Sequence, residues 1–239
     1  MKISIVIPVY NEEKYIVKTI EKVISSNCLG YKKEIIIVDD ASTDNSSKVI
    51  KKFLTNFTDK KNTIIFIQKK INEGKSSVLK LGILKSKGDI VLIQDADLEY
   101  NPEDYPLLLE PLVKNEADVV YGSRFISDKP HRVLYFWHYL GNLFLTIFSN
   151  MFTNLNLTDI ETGYKVFKGD IVRKIAYKLQ SKRFGFEPEI TAKIAKIKGI
   201  RIFEVGISYR GRTYDEGKKI GWKDGIRAIW EIIRFNLFS

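Results

Sequence analysis

Three carboxylates spaced by two residues follow a short apolar run in the first half of the chain. The run is Ile90–Ile93, and Asp95, Asp97 and Glu99 come after it. Four apolar residues are too few for a typical helix and predict a short strand buried on both faces. If the chain stays extended, the three side chains project from one side. Such a set of oxygen ligands suits Mg²⁺ or Mn²⁺ bridging carboxylates to substrate phosphates, and a solvated acidic turn is the alternative.

Three other polar groups also follow predicted strands. Residues 8–12 follow a strand over 3–8, Asp39 and Asp40 follow a strand over 34–38, and residues 72–75 follow a strand over 63–68. Helices with apolar residues at helical spacing separate these strands: the first opens at residues 10–13 with carboxylates in its first turn, and Ser42 or Thr43 could cap the second. This alternation predicts βαβ units and a mostly parallel sheet. Ligands bind beyond the carboxyl ends of the strands in such sheets. We therefore expect all four polar groups to meet at one edge.

The second half of the chain continues this alternation without an evident break. The predicted elements are a helix over 102–115, a strand over 117–121, an aromatic-rich segment over 132–152, helices over 171–179 and 188–198, a strand over 202–209 and a helix over 222–235. We find no internal repeat and no low-complexity linker. The prediction is a single α/β domain over 1–215, with a basic amphipathic helix within 216–239 packed on or beside it.

Composition limits the classes of protein to consider. Hydrophobic residues make up 44% and charged residues 28% of the 239 residues, as in a soluble globular protein. The single cysteine, Cys28, allows no internal disulfide and fits a reducing compartment. We see neither a signal peptide nor a run of roughly 18 apolar residues long enough to span a membrane. The net charge of +10 indicates an anionic partner, which could be a nucleotide, a nucleic acid or a membrane surface.

With these motifs in place, the sequence resembles the family-2 glycosyltransferases of the GT-A (Rossmann-like) fold. The matching motifs are PVYNE at 8–12, VDDASTD at 38–44, NEGK at 72–75 and DAD at 95–97. Within that family the chain is most similar to the dolichyl- or polyprenyl-phosphate sugar synthases. This narrower resemblance rests on GSRF at 122–125, TGYK at 162–165 and the basic segment 210–219.

The resemblance implies three sets of site residues. Nucleotide binding falls to Pro8, Tyr10, Glu12, Val38, Asp40, Asp95, Ala96 and Lys218. The metal-binding residues are Asp95, Asp97 and Glu99. The catalytic residues are Asp97, Arg124, Lys165 and Arg212. Arg124 and Lys165 would recognise the acceptor phosphate, while Arg212 and Lys218 would add positive charge near the departing diphosphate. Lys165 stands where many relatives carry arginine, and lysine lacks the bidentate fork of a guanidinium.

These residues favour metal-dependent, inverting transfer of a sugar from a GDP- or UDP-hexose to a polyprenyl phosphate. A phosphate acceptor is already ionised at neutral pH and needs no general base, which fits the lack of an obvious catalytic histidine. A glycan hydroxyl acceptor is the alternative, and it would need Glu187 or Glu189 as base. A nucleic-acid-binding module is disfavoured because no basic strip with interleaved aromatic residues is present. The sequence predicts no particular oligomer.

Two segments predict attachment to a membrane surface. As a helix, residues 132–152 would form an apolar stripe from Leu140, Phe144, Ile147 and Phe148. The C-terminal helix combines apolar and basic residues: Trp222, Ile226, Ile229, Trp230, Ile233 and Phe235 with Lys223, Arg227 and Arg234. Such helices suit the membrane interface, so we predict peripheral attachment at the cytoplasmic face. Packing of both helices on the sheet as ordinary core is the alternative.

Overall fold

One β-sheet with helices on both faces forms the frame of the molecule. A computed structural model describes residues 1–59, 61–128, 132–133, 135–183, 185–212 and 222–238. The strands are β1 (Lys2–Val9), β2 (Lys32–Asp39), β3 (Thr63–Gln68), β4 (Ile90–Ile93), β5 (Val119–Ser123), β6 (Lys165–Lys168) and β7 (Ile202–Gly206). The helices are α1 (Ile16–Ser25), α2 (Ser46–Thr55), α3 (Lys75–Lys85), α4 (Tyr105–Val113), α5 (Phe136–Thr153), α6 (Gly169–Tyr177), α7 (Phe186–Ala195) and α8 (Trp222–Leu237).

The strand order confirms the predicted mostly parallel α/β fold. The sheet reads β3-β2-β1-β4-β6-β5-β7. Neighbouring strands are parallel except at β6, which runs antiparallel to both β4 and β5. In the second half of the chain, β6 was not predicted as a strand. Its antiparallel insertion places the loop before Lys165 next to the end of β4, where the acidic residues begin.

Both faces of the central strands are buried, which explains their continuous apolar sequences. On one face, Ile5 packs with Ile16 and Ile20 of α1. On the other face, Val6 packs with Leu79 and Ile83 of α3. All six side chains are fully buried, and each such aliphatic side chain contributes about 1.5–3 kcal/mol to stability. A sheet held from both sides gives the strand ends fixed positions.

Strand β1 continues through Pro8 to Val9, although Pro8 was predicted to end it. Val6 accepts a hydrogen bond from the backbone N–H of Gln94, just past β4, whereas Val9 accepts one from Asp40 on the β2 side. Pro8 therefore faces the β4 side, like Val6, at a point where β4 has already ended at Ile93. No N–H is needed there, so proline is tolerated.

Helices α1 and α2 begin later than the sequence indicated. Residues 10–15 form a turn with Asn11 at φ 52°, and α1 begins only at Ile16, with no acidic residue in its first turn. Helix α2 is preceded by Asn45 as its N-cap residue and not by Ser42 or Thr43. Ser42 instead binds the carboxylate of Asp39 through its backbone N–H and its hydroxyl. The residues expected to lie in helices thus form the polar turns after β1 and β2.

The C-terminal helix α8 packs on α5 and α7. Ala228, Ile232 and Phe235 are buried. The predicted boundary between 215 and 216 remains a prediction, since residues 213–221 lie outside those described. Within the described ranges, no helix is both long and apolar enough to cross a membrane.

Candidate active site

A tight turn carries the three carboxylates beyond β4. Gln94 is fully buried, and its amide oxygen accepts hydrogen bonds from Tyr105 (2.7 Å) and Tyr164 (2.8 Å). The chain turns directly afterwards, with Leu98 at φ 63°. The segment is not extended, so the condition under which all three carboxylates would project from one side is not met. The turn instead divides the acidic residues between two basic side chains.

Arg212 lies among three carboxylates. Its guanidinium contacts Asp97 (2.9 Å), Glu99 (3.2 Å) and Glu12 (3.3 Å), and its backbone N–H donates to Glu99 (2.9 Å). The side chain is only 13% exposed and lies over the ring of Tyr15. Arg212, predicted as a catalytic residue, thus draws together residues predicted for the metal and for the nucleotide.

Lys75 neutralises the remaining carboxylate of the turn. It is the first residue of α3, and its Nζ lies 3.0 Å from Asp95 and 3.1 Å from Glu187, near the start of α7. Gly163 closes the other side, because a Cβ at that position would collide with Asp95 Oδ2 and with the ring of Tyr100. Three elements that are distant in sequence therefore surround Asp95.

The electrostatics of the turn favour an additional positive charge. Burial, followed by the charges of Glu99 and Asp95, raises the pKa of Asp97 to about 7, although Arg212 acts in the opposite direction. The carboxylates in turn hold the pKa of Arg212 above its ordinary value, and Asp95 and Glu187 do the same for Lys75. The two internal cations therefore only partly offset the crowded negative charge.

The oxygen-only donor set suits a hard divalent cation, but this arrangement does not present a formed metal centre. In the part of the chain that the structure describes, no three His, Cys, Asp or Glu side chains are arranged to hold a metal ion. The reason is visible in the contacts: Asp95 is paired with Lys75, and both Asp97 and Glu99 are paired with Arg212. Metal binding by the predicted ligands requires that Arg212 leave them.

Most of the residues predicted for the nucleotide lie at the same sheet edge. Tyr10 is 39% exposed just beyond β1, and Pro8 and Val38 are paired in neighbouring strands. Asp40 is buried, and its carboxylate accepts hydrogen bonds from Lys69 and from the backbone N–H groups of Glu73 and Gly74. A cavity of 420 Å³ opens beside it, lined by Ala41, Ser42, Gln68, Lys69 and Lys70.

Ala96 lies within the acidic turn, and its carbonyl accepts a hydrogen bond from the hydroxyl of Thr19 in α1 at 2.9 Å. This bond ties the turn to the first helix. Lys218, the remaining residue predicted for the nucleotide, lies outside the described residues.

Arg124 and Lys165 support one loop, residues 159–164. Arg124 binds Asp159 through two nitrogens at 2.7 Å each, with its guanidinium over the rings of Phe125 and Tyr209. Lys165 is 1% exposed and donates to the carbonyls of Ile160 and Thr162. Direct contact with an acceptor phosphate stays a prediction for both residues. Here Lys165 faces the loop carbonyls rather than solvent.

Two residues of this region were not among the predicted site residues. Lys75 was placed only within the NEGK motif, because nothing near it in sequence reveals its partners Asp95 and Glu187. Glu161 was not singled out, although it directly precedes the TGYK motif. Its Oε1 is inaccessible to solvent and has no hydrogen-bond partner among the described residues. Burial, followed by the charge of Glu187, raises the pKa of Glu161 to about 7.

Of the two glutamates considered as a general base, Glu189 is fully engaged. It is completely buried and accepts hydrogen bonds from the backbone N–H groups of Gln180 and Ser181. Its i+4 neighbour Lys193 adds an ion pair. Glu189 therefore anchors the segment before α7, and only Glu187 of the pair faces the acidic turn.

Comparison with known proteins identifies the family. The family model "Glycosyl transferase family 2" matches residues 4–176, which include β2 to β6 and all of β1 except its first two residues. An undecaprenyl-phosphate mannosyltransferase of Micrococcus luteus is 27% identical, with 99% of each chain covered. A UDP-N-acetylglucosamine–dolichyl-phosphate N-acetylglucosaminyltransferase of Methanococcus voltae is 26% identical, over 98% of this chain and 96% of the relative.

A solved structure supports the fold. Glucosyl-3-phosphoglycerate synthase from Mycobacterium tuberculosis, in complex with Mn²⁺, UDP and phosphoglyceric acid, superposes with a TM-score of 0.74 at 18% identity. The match covers all of this chain and 79% of that one. At this identity the likeness shows the fold alone, which is the GT-A fold that the sequence motifs implied.

Proposed function

This chain belongs to glycosyl transferase family 2 and is a glycosyltransferase, and we propose that it transfers a sugar from a nucleotide diphosphate sugar to a polyprenyl phosphate. The observation that carries this proposal is the acidic turn after β4, flanked by Lys75 and Arg212 at the edge where β1 and β2 also end. Relatives that act on dolichyl or undecaprenyl phosphate, similar over almost the whole chain, support the choice of acceptor.

The nucleotide binds, in this proposal, at the ends of β1 and β2. Tyr10 offers a partly exposed ring for stacking, and Ser42 and Lys69 border the adjoining cavity. Asp40 already receives three hydrogen bonds, so at most one of its four lone-pair positions remains for a base or ribose. Its larger effect is to hold the 72–74 segment against the sugar nucleotide.

Asp95, Asp97 and Glu99 are proposed to hold Mg²⁺ or Mn²⁺ at the donor diphosphate. Such a cation, when bound, neutralises the charge that grows on the departing diphosphate. Arg212 would then release Asp97 and Glu99 and turn its guanidinium to the diphosphate oxygens, for which its planar fork is suited. One basic side chain would thus stabilise the acidic turn before the donor binds and the leaving group afterwards.

The acceptor needs little activation if it is a phosphate. Its oxygens are already ionised at neutral pH, so attack on the anomeric carbon from the face opposite the diphosphate gives inversion without a general base. Arg124 and Lys165 are proposed to act at this acceptor side by fixing the loop between them. A hydroxyl acceptor would instead need a general base. Of the two candidate bases, Glu187 is paired with Lys75, and Glu189 accepts a hydrogen bond from the backbone of Ser181.

The apolar surface of α5 and α8 supports binding at a membrane. Helix α5 exposes side chains at helical spacing: Phe136 (65%), Leu140 (41%), Phe144 (52%), Ile147 (52%) and Met151 (75%). Helix α8, packed against it, exposes Ile226 (59%) and Trp230 (58%). Exposed apolar residues in contiguous rows mark interaction surfaces, and a basic protein is drawn to anionic lipid. We propose peripheral attachment at the cytoplasmic face, where nucleotide sugars are available.

A donor panel tests the proposal. UDP-glucose, UDP-N-acetylglucosamine and GDP-mannose are each incubated with the protein and Mn²⁺ or Mg²⁺, with and without undecaprenyl phosphate. We expect release of UDP or GDP from one donor, dependent on the lipid phosphate and abolished by EDTA. Release that is independent of the lipid phosphate, or unaffected by EDTA, would contradict the acceptor or the metal respectively.

A further inference from the structure

We infer that Glu161, together with Glu187, binds the hydroxyl groups of the donor's sugar and thereby selects an uncharged sugar. The inference rests on the proposed function, since it assumes a nucleotide sugar at the acidic turn. Glu161 is not among the residues predicted from the sequence for catalysis or nucleotide binding.

Both glutamates lie close to the acidic turn. The 159–164 loop contacts the acidic turn through Gly163, whose Cα leaves no room for a Cβ beside Asp95. On the other side of Asp95, Lys75 connects it to Glu187 at 3.1 Å. The charge of Glu187 contributes, after burial, to the raised pKa of Glu161. The two glutamates therefore lie next to the place where a diphosphate held by Asp95 would present its sugar.

The loop that carries Glu161 is held in place by two basic side chains. Lys165 Nζ donates to the carbonyls of Ile160 and Thr162, the residues on either side of Glu161. At the start of the loop, the Asp159 carboxylate is held by Arg124 through its side chain and its backbone N–H. Two buried basic residues thus fix the backbone that carries Glu161. Sites that recognise a ligand precisely use such supported side chains.

One carboxylate oxygen of Glu161 lacks a hydrogen-bond donor among the described residues. Glu161 Oε1 is buried without a hydrogen-bond donor among the described residues, an arrangement that costs free energy unless a ligand completes it. A carboxylate is acceptor-only when ionised, and the hydroxyls of a sugar are donors that match it. The raised pKa of Glu161, about 7, is consistent with a carboxyl that lacks its partner in the free protein.

Charge sets the substrate class. A sugar bearing a carboxylate would face two glutamates, of which Glu187 is buried, and like charges repel more strongly where bulk water is excluded. Neutral hexoses and N-acetylhexosamines meet no such repulsion. The pair Glu161 and Glu187 therefore favours an uncharged sugar over a uronic acid.

The test separates binding of the sugar from binding of the nucleotide. Affinities of the nucleoside diphosphate and of its sugar derivative are measured by calorimetry with Mn²⁺, for wild type, Glu161→Gln and Glu161→Leu. We expect the additional affinity of the sugar derivative to fall about tenfold or more in Glu161→Leu and less in Glu161→Gln, with the affinity for the nucleoside diphosphate unchanged. Glu21→Gln, an exposed glutamate of α1, is the control and should match wild type.

A second measurement keeps the inference testable if Glu161→Leu does not fold. Monodeoxy analogues of the accepted donor are compared in wild type and Glu161→Gln. At least one analogue should bind to wild type about tenfold more weakly than the parent donor does, and this difference should be clearly smaller for the variant. The affinity of UDP-glucuronate relative to the parent donor should be higher for the variant than for wild type. Equal losses in both proteins would overturn the inference while leaving the proposed function intact. Failure of the wild type to bind any nucleotide sugar would overturn both.

Discussion

At the scale of single residues, the acidic turn is the clearest example of chemistry that sequence reveals in part. The spacing of Asp95, Asp97 and Glu99 and their position after a buried strand were readable directly. Their basic partners were not, because Lys75 and Arg212 approach the turn from 20 and 115 residues away. The orphaned oxygen of Glu161 was equally invisible, since burial and a missing partner are properties of the folded chain.

Asp97 gives a direct test of the metal proposal. Asp97→Asn should lower the affinity for Mn²⁺ in the presence of UDP by tenfold or more, because an amide is a poor substitute for a charged oxygen ligand. Folding should be retained, since burial and neighbouring carboxylates already raise the pKa of Asp97 to about 7 and a neutral side chain relieves that repulsion. Calorimetry measures the affinity, and urea denaturation checks the fold.

Asp170→Asn, which changes an exposed aspartate at the start of α6, is the matched control for this test. It should bind Mn²⁺ and UDP as the wild type does. Undiminished Mn²⁺ binding by Asp97→Asn would remove Asp97 from the metal site.

The raised pKa of Glu161 predicts that the free energy of unfolding depends on pH. Its folded-state pKa, about 7, is above the ordinary 4.5, so between these values the folded protein binds more protons than the unfolded chain. The contribution of Glu161 to the free energy of unfolding therefore falls as pH rises through this window. Glu161→Gln removes that loss, and its stability relative to wild type should increase by about 1–3 kcal/mol from pH 5 to pH 8.

Urea denaturation at the two pH values measures this difference, with Glu21→Gln as the exposed control. A stability difference that is independent of pH would show that Glu161 is not held in a desolvated site.

At the scale of elements, local patterns predicted the parallel half of the sheet well. Buried apolar runs followed by polar turns located β1 to β4, and helical spacing of apolar residues located α3, because both patterns involve only residues close together in sequence. The antiparallel strand β6 was missed because its four residues carry no marker of direction, and only pairing with β4 and β5 defines it. The late start of α1 was missed because Asn11 and its neighbours bind the turn after β2 instead.

Helices α5 and α8 carry the prediction about the membrane. The protein should float with phosphatidylglycerol vesicles at low salt and less at high salt, because both apolar insertion and charge contribute. The double change Phe144→Ser and Trp230→Ser should weaken flotation about tenfold or more, since both side chains are more than half exposed and contribute apolar area.

Tyr177→Ser is the matched control, because Tyr177 is 75% exposed at the end of α6 and belongs to neither α5 nor α8. It should float as the wild type does. Absence of wild-type flotation even at low salt would contradict the membrane-surface proposal.

At the scale of the whole molecule, the sequence motifs and the fold agree. The GT-A fold and the glycosyltransferase class follow from motifs in the first half of the chain. The strand order and the structural neighbour confirm the fold, and the family match over 4–176 confirms the class. The acceptor, the sugar of the donor and the membrane attachment depend on the second half, where charges and surfaces come together only through folding. These remain proposals, each tied to a particular set of contacts.

The central claim is that the acceptor is a lipid phosphate, and a matched pair of acceptors tests it most directly. Radiolabelled donor, chosen from the panel above, is incubated with the protein, Mn²⁺ and either undecaprenyl phosphate or undecaprenol of the same chain length. We expect label in the lipid fraction with the phosphate and none above background with the alcohol, because the two candidate bases for a hydroxyl are already engaged, Glu187 by Lys75 and Glu189 by backbone N–H groups. Label transferred to the alcohol, or to neither lipid while a glycan acceptor is labelled, would contradict the account.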